Sequence, residues 1–177
     1  IKGIKFSLLI LGGDGIGYFY SKSEWLDLIN NFSSFCKLRQ TNPLFITSTR
    51  TPIEVEELIK EKFDVSMSVL YHSEKARGKF DHLLYVADNI FVTEDSSTML
   101  SEAVSSGKKV ISIFPQNINA PEKYLQIITK YQGLEFIERC SIENIDKFTF
   151  PRETNIQDKV DSSRKNLIFT IGSNPVN

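Results

Sequence analysis

The segment from Ala87 to Pro115 leaves the fewest options for folding. It holds two apolar runs of strand length, Asn89–Thr93 and Lys109–Phe114, each rich in Val, Ile and Phe. Between them, Ser97–Ser106 is helical in pattern and is stopped by Gly107. Two strands joined this way lie parallel, because a parallel pair needs a long crossover, usually a helix. The turn leaving the first strand is Thr93-Glu94-Asp95-Ser96-Ser97-Thr98. It sets hydroxyls and free backbone N–H groups at a helix start, which is a ready anion site. Glu102 follows Thr98 by one helical turn and shares its face. Phosphate at the helix end and ribose hydroxyls on the carboxylate would suit a nucleotide. A hydroxyl-capped helix carrying a solvent-facing Glu is the competing reading.

The preceding chain repeats the same grammar. Ile4–Leu11 is a buried-strand run that ends in Gly12-Gly13-Asp14-Gly15-Ile16-Gly17. Glycines between a strand and a helix let backbone approach a ligand closely. Their spacing is not G-x-G-x-x-G, and no acidic residue ends the second strand, so a dinucleotide fingerprint is absent. Ser21-Lys22-Ser23-Glu24 has the form of a capping box, and Trp25, Leu28, Ile29, Phe32 and Phe35 recur at the helical period of a core stripe. Pro43–Thr47 reads as the second strand, followed by Ser48-Thr49-Arg50-Thr51-Pro52. There Thr51 is expected as an N-cap, with Pro52 at the first helical position and Glu54 completing a capping box. Arg50 at a strand end is placed either to meet an anion or to form a surface ion pair.

The helix Thr51–Lys62 turns Ile53, Val55, Leu58 and Ile59 inward, and Phe63–Leu70 reads as a third strand. Tyr71–Lys79 is a polar, basic loop off that strand, with His72 at its start. Phe80–Ala87 reads as a short helix with His82 on its exposed side. After Pro115 a loop leads into a helix over Pro121–Tyr131, a short strand Leu134–Ile137, and a further helix within Glu153–Phe169. The result is an α/β doubly wound, Rossmann-like parallel sheet of about six strands, with all polar loops leaving strand C-termini. Without a repeat or linker, residues 1–177 are expected to form a single domain.

A net charge of −1 offers no electrostatic case for nucleic acid or an anionic membrane. Two distant cysteines, Cys36 and Cys140, and two histidines form no metal-ligand spacing, and a reducing, cytoplasmic setting is expected. No run is long and apolar enough to span a bilayer as a helix.

Three motifs in order, GGDG at 12–15, TSTRTP at 47–52 and VTEDSSTMLSEAVSSGKKV at 92–110, resemble the mitochondrial-fission "elongated mitochondria" family, often described as glycosyltransferase-like. Where that family has Ser-Arg-Arg-Thr-Pro, this chain has Ser48-Thr49-Arg50-Thr51-Pro52, one positive charge fewer. More broadly, Asp95–Gly107 is similar to the donor-binding half of GT-B glycosyltransferases. That resemblance implies that Ser96, Ser97 and Thr98 hold phosphate and that Glu102 holds ribose. By the same resemblance Gly12 and Gly13 approach the diphosphate, Ser48, Thr49 and Arg50 line the cleft, and Tyr71 and His72 lie near the base. The ligand implied is a nucleoside-diphosphate sugar, with no cofactor or metal. The partner implied is an N-terminal acceptor domain of the same protein, which would also carry any peripheral membrane association. Two further readings follow: a GT-B-shaped adaptor without catalysis, and a nucleotide-sugar epimerase using His72 with Glu94 or Asp95 as acid and base.

Overall fold

The computed structural model describes residues 3–73 and 78–149. Its elements are β1 (Phe6–Leu11), β2 (Tyr18–Phe19), α1 (Lys22–Arg39), β3 (Asn42–Thr47), α2 (Ile53–Lys62), α3 (Phe80–Val86), β4 (Asn89–Thr93), α4 (Ser97–Ser105), β5 (Val110–Phe114), β6 (Asn117–Ile118), α5 (Glu122–Gly133) and β7 (Ile137–Ser141), followed by a 3-10 turn, Ile142–Asn144. Five strands form one parallel sheet in the order β3-β1-β4-β5-β7, and β2 pairs with β6 in a small antiparallel ribbon. Right-handed crossovers set α1 on one face and α3, α4 and α5 on the other, and α2, which packs on α1 and is tied to it by Lys62 donating to Asn30 Oδ1, lies with α1. The chain is therefore α/β, doubly wound and Rossmann-like. It runs outward from β1 to β3 and returns to β4, so strand order reverses between β1 and β4. Open α/β sheets bind ligands outside the strand C-termini at that reversal.

The sheet has five strands where six were expected, and the missing one is Phe63–Leu70. It touches the sheet through a single parallel bridge, Ile46 with Val69. Its polar residues turn the backbone away: Asp64 accepts from the Ser66 N–H at 2.9 Å, and the Ser68 N–H closes onto Val65 at 2.9 Å. The Ser68 hydroxyl then takes the place of a ladder carbonyl, accepting from the Phe45 N–H at 3.1 Å. The last strand lies further along than the expected Leu134–Ile137, at Ile137–Ser141, because α5 continues to Gly133 and Glu135 turns through a positive φ of 59°. The helix expected within Glu153–Phe169 lies outside the described residues.

The aromatic stripe of α1 is core. Phe32 packs edge-on against Phe45 and Phe91, with ring centroids 5.6 and 5.5 Å apart, and Phe35 meets Phe91 at 4.8 Å. Such pairs add about 0.5–1.5 kcal/mol each beyond burial. Ser21 caps α1 through the expected capping box with Glu24. The start of α2 differs. Pro52 is its N-cap and no side chain caps it. Thr51 is instead buried, accepting from the Ser48 N–H at 3.0 Å and directing its own hydrogen at the Gly12 carbonyl, 2.6 Å away. One further residue reverses: Ile53 is half exposed, whereas Glu56 of the same helix is fully buried.

Candidate functional site at the carboxyl edge of the sheet

The loops after β1, β3 and β4 meet at the strand-order reversal, and they are tied together by Asp95. This side chain is almost wholly buried, and it accepts from the Gly13 N–H at 3.0 Å and the Tyr20 hydroxyl at 3.3 Å. Arg50 reaches it at 2.8 Å and donates with Nη1 to the Asp14 carbonyl at 3.1 Å. One guanidinium thus joins three loops, and its side chain is 36% exposed. Burial pushes the Asp95 carboxyl above the usual aspartate range; hydrogen bonds from Thr93 and Gly13 and the charge of Arg50 pull it partly back.

The glycines are required by this packing. A Cβ on Gly12 would sit 1.9 Å from Asp95 Oδ2, and one on Gly13 would sit 2.2 Å from the Arg50 carbonyl. Both N–H groups serve the fold, with Gly12 donating to Thr93 Oγ1 at 2.8 Å and Gly13 to Asp95. Ser48 belongs to the same cluster, donating to the Gly12 carbonyl at 3.1 Å and accepting from the Arg50 N–H at 3.2 Å, and Thr49 is exposed beside it.

α4 begins immediately after Asp95. Ser96 caps it, its hydroxyl 3.4 Å from the Met99 N–H. Ser97 and Thr98 are exposed, and among the described residues their N–H groups have no acceptor in the chain. Glu102, one turn on, is exposed on the wall of a cavity of about 450 Å³ between α3 and α4. Tyr71 and His72 are exposed at the far side of β3; the Tyr71 N–H donates to Thr47 Oγ1 at 2.8 Å and the His72 N–H to Glu56 Oε2 at 3.0 Å. Glu56, which also accepts from the Thr47 hydroxyl, is the buried anchor of that loop.

A third buried carboxylate, Glu94, which the sequence marks only as a candidate acid or base, is a structural centre. Glu94 is fully buried and accepts from Arg139 Nε and Nη2 at 2.6 and 2.7 Å, from the Tyr18 hydroxyl at 3.0 Å, and from the Ser112 hydroxyl. Tyr124 of α5 donates to its carbonyl. Burial pushes the Tyr18, Tyr20 and Tyr124 hydroxyls upward, so all three remain protonated donors. Glu94 and Asp95, the carboxylates that an epimerase would need as acid or base, are thereby both committed to internal partners. Arg139 lies 45 residues from Glu94, and no local signal in the sequence announces that pair.

Among the described residues no helix is long and apolar enough to cross a membrane. A relative, the uncharacterized protein RP120 of Rickettsia prowazekii (strain Madrid E), is 31% identical over 122 residues, which cover 66% of this chain and 33% of that protein. The chain thus spans about a third of the length of the curated relative it matches. A family model described as mitochondrial fission ELM1 matches residues 4–140, from just before β1 into β7 and well over half the sequence. By that match the chain belongs to the mitochondrial fission ELM1 family.

Proposed function

We propose that this chain is the nucleotide-binding part of a glycosyltransferase-like protein, holding a nucleoside-diphosphate sugar at the carboxyl edge of the sheet. The observation that carries the reading is the start of α4. Its unpaired Ser97 and Thr98 N–H groups lie at the strand-order reversal, directly after the buried Asp95 that holds Arg50. A helix start attracts anions through its dipole and free donors, and an Arg fixed by its own carboxylate adds charge without the cost of ordering a free side chain. Gly12 and Gly13 serve this site as close-packing positions rather than as phosphate donors, since their N–H groups bond Thr93 and Asp95. In transfer, the chain would stabilise the departing diphosphate electrostatically as the glycosidic bond breaks. The acceptor domain, and with it any general base, would come from other parts of the protein.

Calorimetric titration of the chain with nucleoside diphosphates tests this. Saturable binding that weakens about tenfold in Arg50→Ala, the loss of one charge-assisted contact, supports it. Absence of binding by every nucleotide, with the domain folded, sinks it.

A second reading, a GT-B-shaped adaptor of the mitochondrial-fission type, is favoured by one specific observation. The crevice between the β1 and β4 loops is filled by the chain's own Asp95 and Arg50. An adaptor can keep such a crevice closed, whereas a donor site must leave room beside it.

A further inference from the structure

Where Phe63–Leu70 turns away from the sheet, a cavity of about 570 Å³ opens between it and α3. Ser66, Met67 and Gly78 form one wall, and α3 from Lys79 to Val86 forms the other. The walls meet at a fixed corner. There the Gly78 N–H donates to the Ser68 carbonyl at 2.9 Å, and a Cβ on Gly78 would sit 2.2 Å from the Met67 carbonyl, so only glycine fits. The volume lies within the range of small-molecule sites, about 300–1,000 Å³, which are mostly apolar. Met67, Tyr85 and Val86 are 47%, 83% and 37% exposed around this one cavity, and the buried Leu83 lines it too. Single exposed apolar residues are ordinary, whereas a group of them around one concavity marks a binding surface.

The charge is graded along the helix wall. Lys79, at the N-cap of α3, His82 and Val86 stand at i, i+3 and i+7 and so share one face. Two basic side chains therefore lie toward one end, and Val86 lies about 10 Å further along the axis, at 1.5 Å per residue. No carboxylate lines the cavity among the described residues, and neither the Lys79 ammonium nor the His82 imidazole has a partner there. A basic end, an apolar body and the lack of an opposing acid complement an amphiphile with one anionic head. We propose that this cavity binds a medium-chain carboxylate, its head at Lys79 and His82 and its chain along Leu83, Val86 and Met67. It shares no residue with the anion site at the carboxyl edge of the sheet, and it does not depend on the nucleotide reading.

The test is a titration of the chain with octanoate, octanol and octylammonium, followed by ¹H–¹⁵N correlation spectra and repeated on Lys79→Gln and Met67→Glu. Both residues are exposed, so circular dichroism should show an unaltered fold in each variant. Octanoate should shift the Met67, Lys79, His82 and Val86 amides saturably. It should bind about two- to fivefold more tightly than octanol, the size of one exposed charge contact, and Lys79→Gln should remove most of that difference. Octylammonium should bind more weakly than octanol. Met67→Glu, which replaces an apolar wall with a like charge, should weaken octanoate at least about tenfold. No saturable shift at millimolar octanoate, or shifts confined to residues outside these walls, overturns the proposal. So does octylammonium binding as tightly as octanoate, a preference for octanoate untouched by Lys79→Gln, or indifference of octanoate to Met67→Glu.

Discussion

Removing Arg139 should expose how much of this fold rests on one buried carboxylate. Glu94 is fully buried, and Arg139 supplies two of its charge-assisted bonds, at 2.6 and 2.7 Å. The guanidinium also lies over the Phe114 ring, 4.4 Å from its centroid. In Arg139→Met the apolar contact with Phe114 survives in part, and the carboxylate keeps only the Tyr18 and Ser112 hydroxyls. Breaking a buried pair from one side costs about 3–5 kcal/mol, because the remaining charge is left uncompensated. Arg139 is 28% exposed on its side chain, so the lower end applies, about 3 kcal/mol. For a domain of this size that is a fall in Tm of about 6–12 °C. Thermal and urea unfolding followed by circular dichroism would read it. The double variant Arg139→Met with Glu94→Gln should recover more than half of the loss, since a neutral amide needs no counter-charge. A loss below about 1 kcal/mol in the single variant, or no recovery in the double, would refute the reasoning.

Gly12→Ala should destabilise the domain by about 3 kcal/mol in chemical unfolding, because the new Cβ must displace an Asp95 carboxylate held by Gly13, Tyr20 and Arg50. The raised pKa of Asp95 has a definite sign: the folded state holds its proton to higher pH than the unfolded state does. Its contribution to stability therefore falls as pH rises from the ordinary aspartate pKa through the folded one. Subtracting the pH–stability profile of Asp95→Asn from that of the parent should give a curve that declines over that window. Burial pushes the Cys36 and Cys140 thiols up to about 11, and both side chains are nearly inaccessible, so neither should react with a disulfide reagent at pH 8 until the chain is unfolded.

The alternation of strands and helices was legible because each rests on a local period. The Trp25–Phe35 stripe and the Ser21–Glu24 box are both read within one helix, and both stand as expected. Phe63–Leu70 reads as a strand because its apolar residues alternate, yet Asp64, Ser66 and Ser68 make local turn bonds that defeat the ladder. Thr51 carries the pattern of an N-cap, yet tertiary demand from the Gly12 carbonyl takes its hydroxyl. The motif residues at 12–13, 48–50 and 96–98 do converge on one sheet edge. What joins them, Asp95 reaching back 82 residues to Gly13, depends on a strand-order reversal that no short window contains. The same holds for Glu94 and Arg139, which meet only because β7 pairs with β5.

The measurement that tests the central claim most directly is a ¹H–¹⁵N correlation spectrum of the chain, titrated in turn with GDP, UDP, ADP and CDP. Binding at the carboxyl edge predicts saturable shifts of the Ser97, Thr98 and Arg50 amides, fading in Arg50→Ala. An unchanged spectrum with each of these nucleotides at millimolar concentration, or shifts confined to the opposite edge near Lys37 and Lys62, would contradict it.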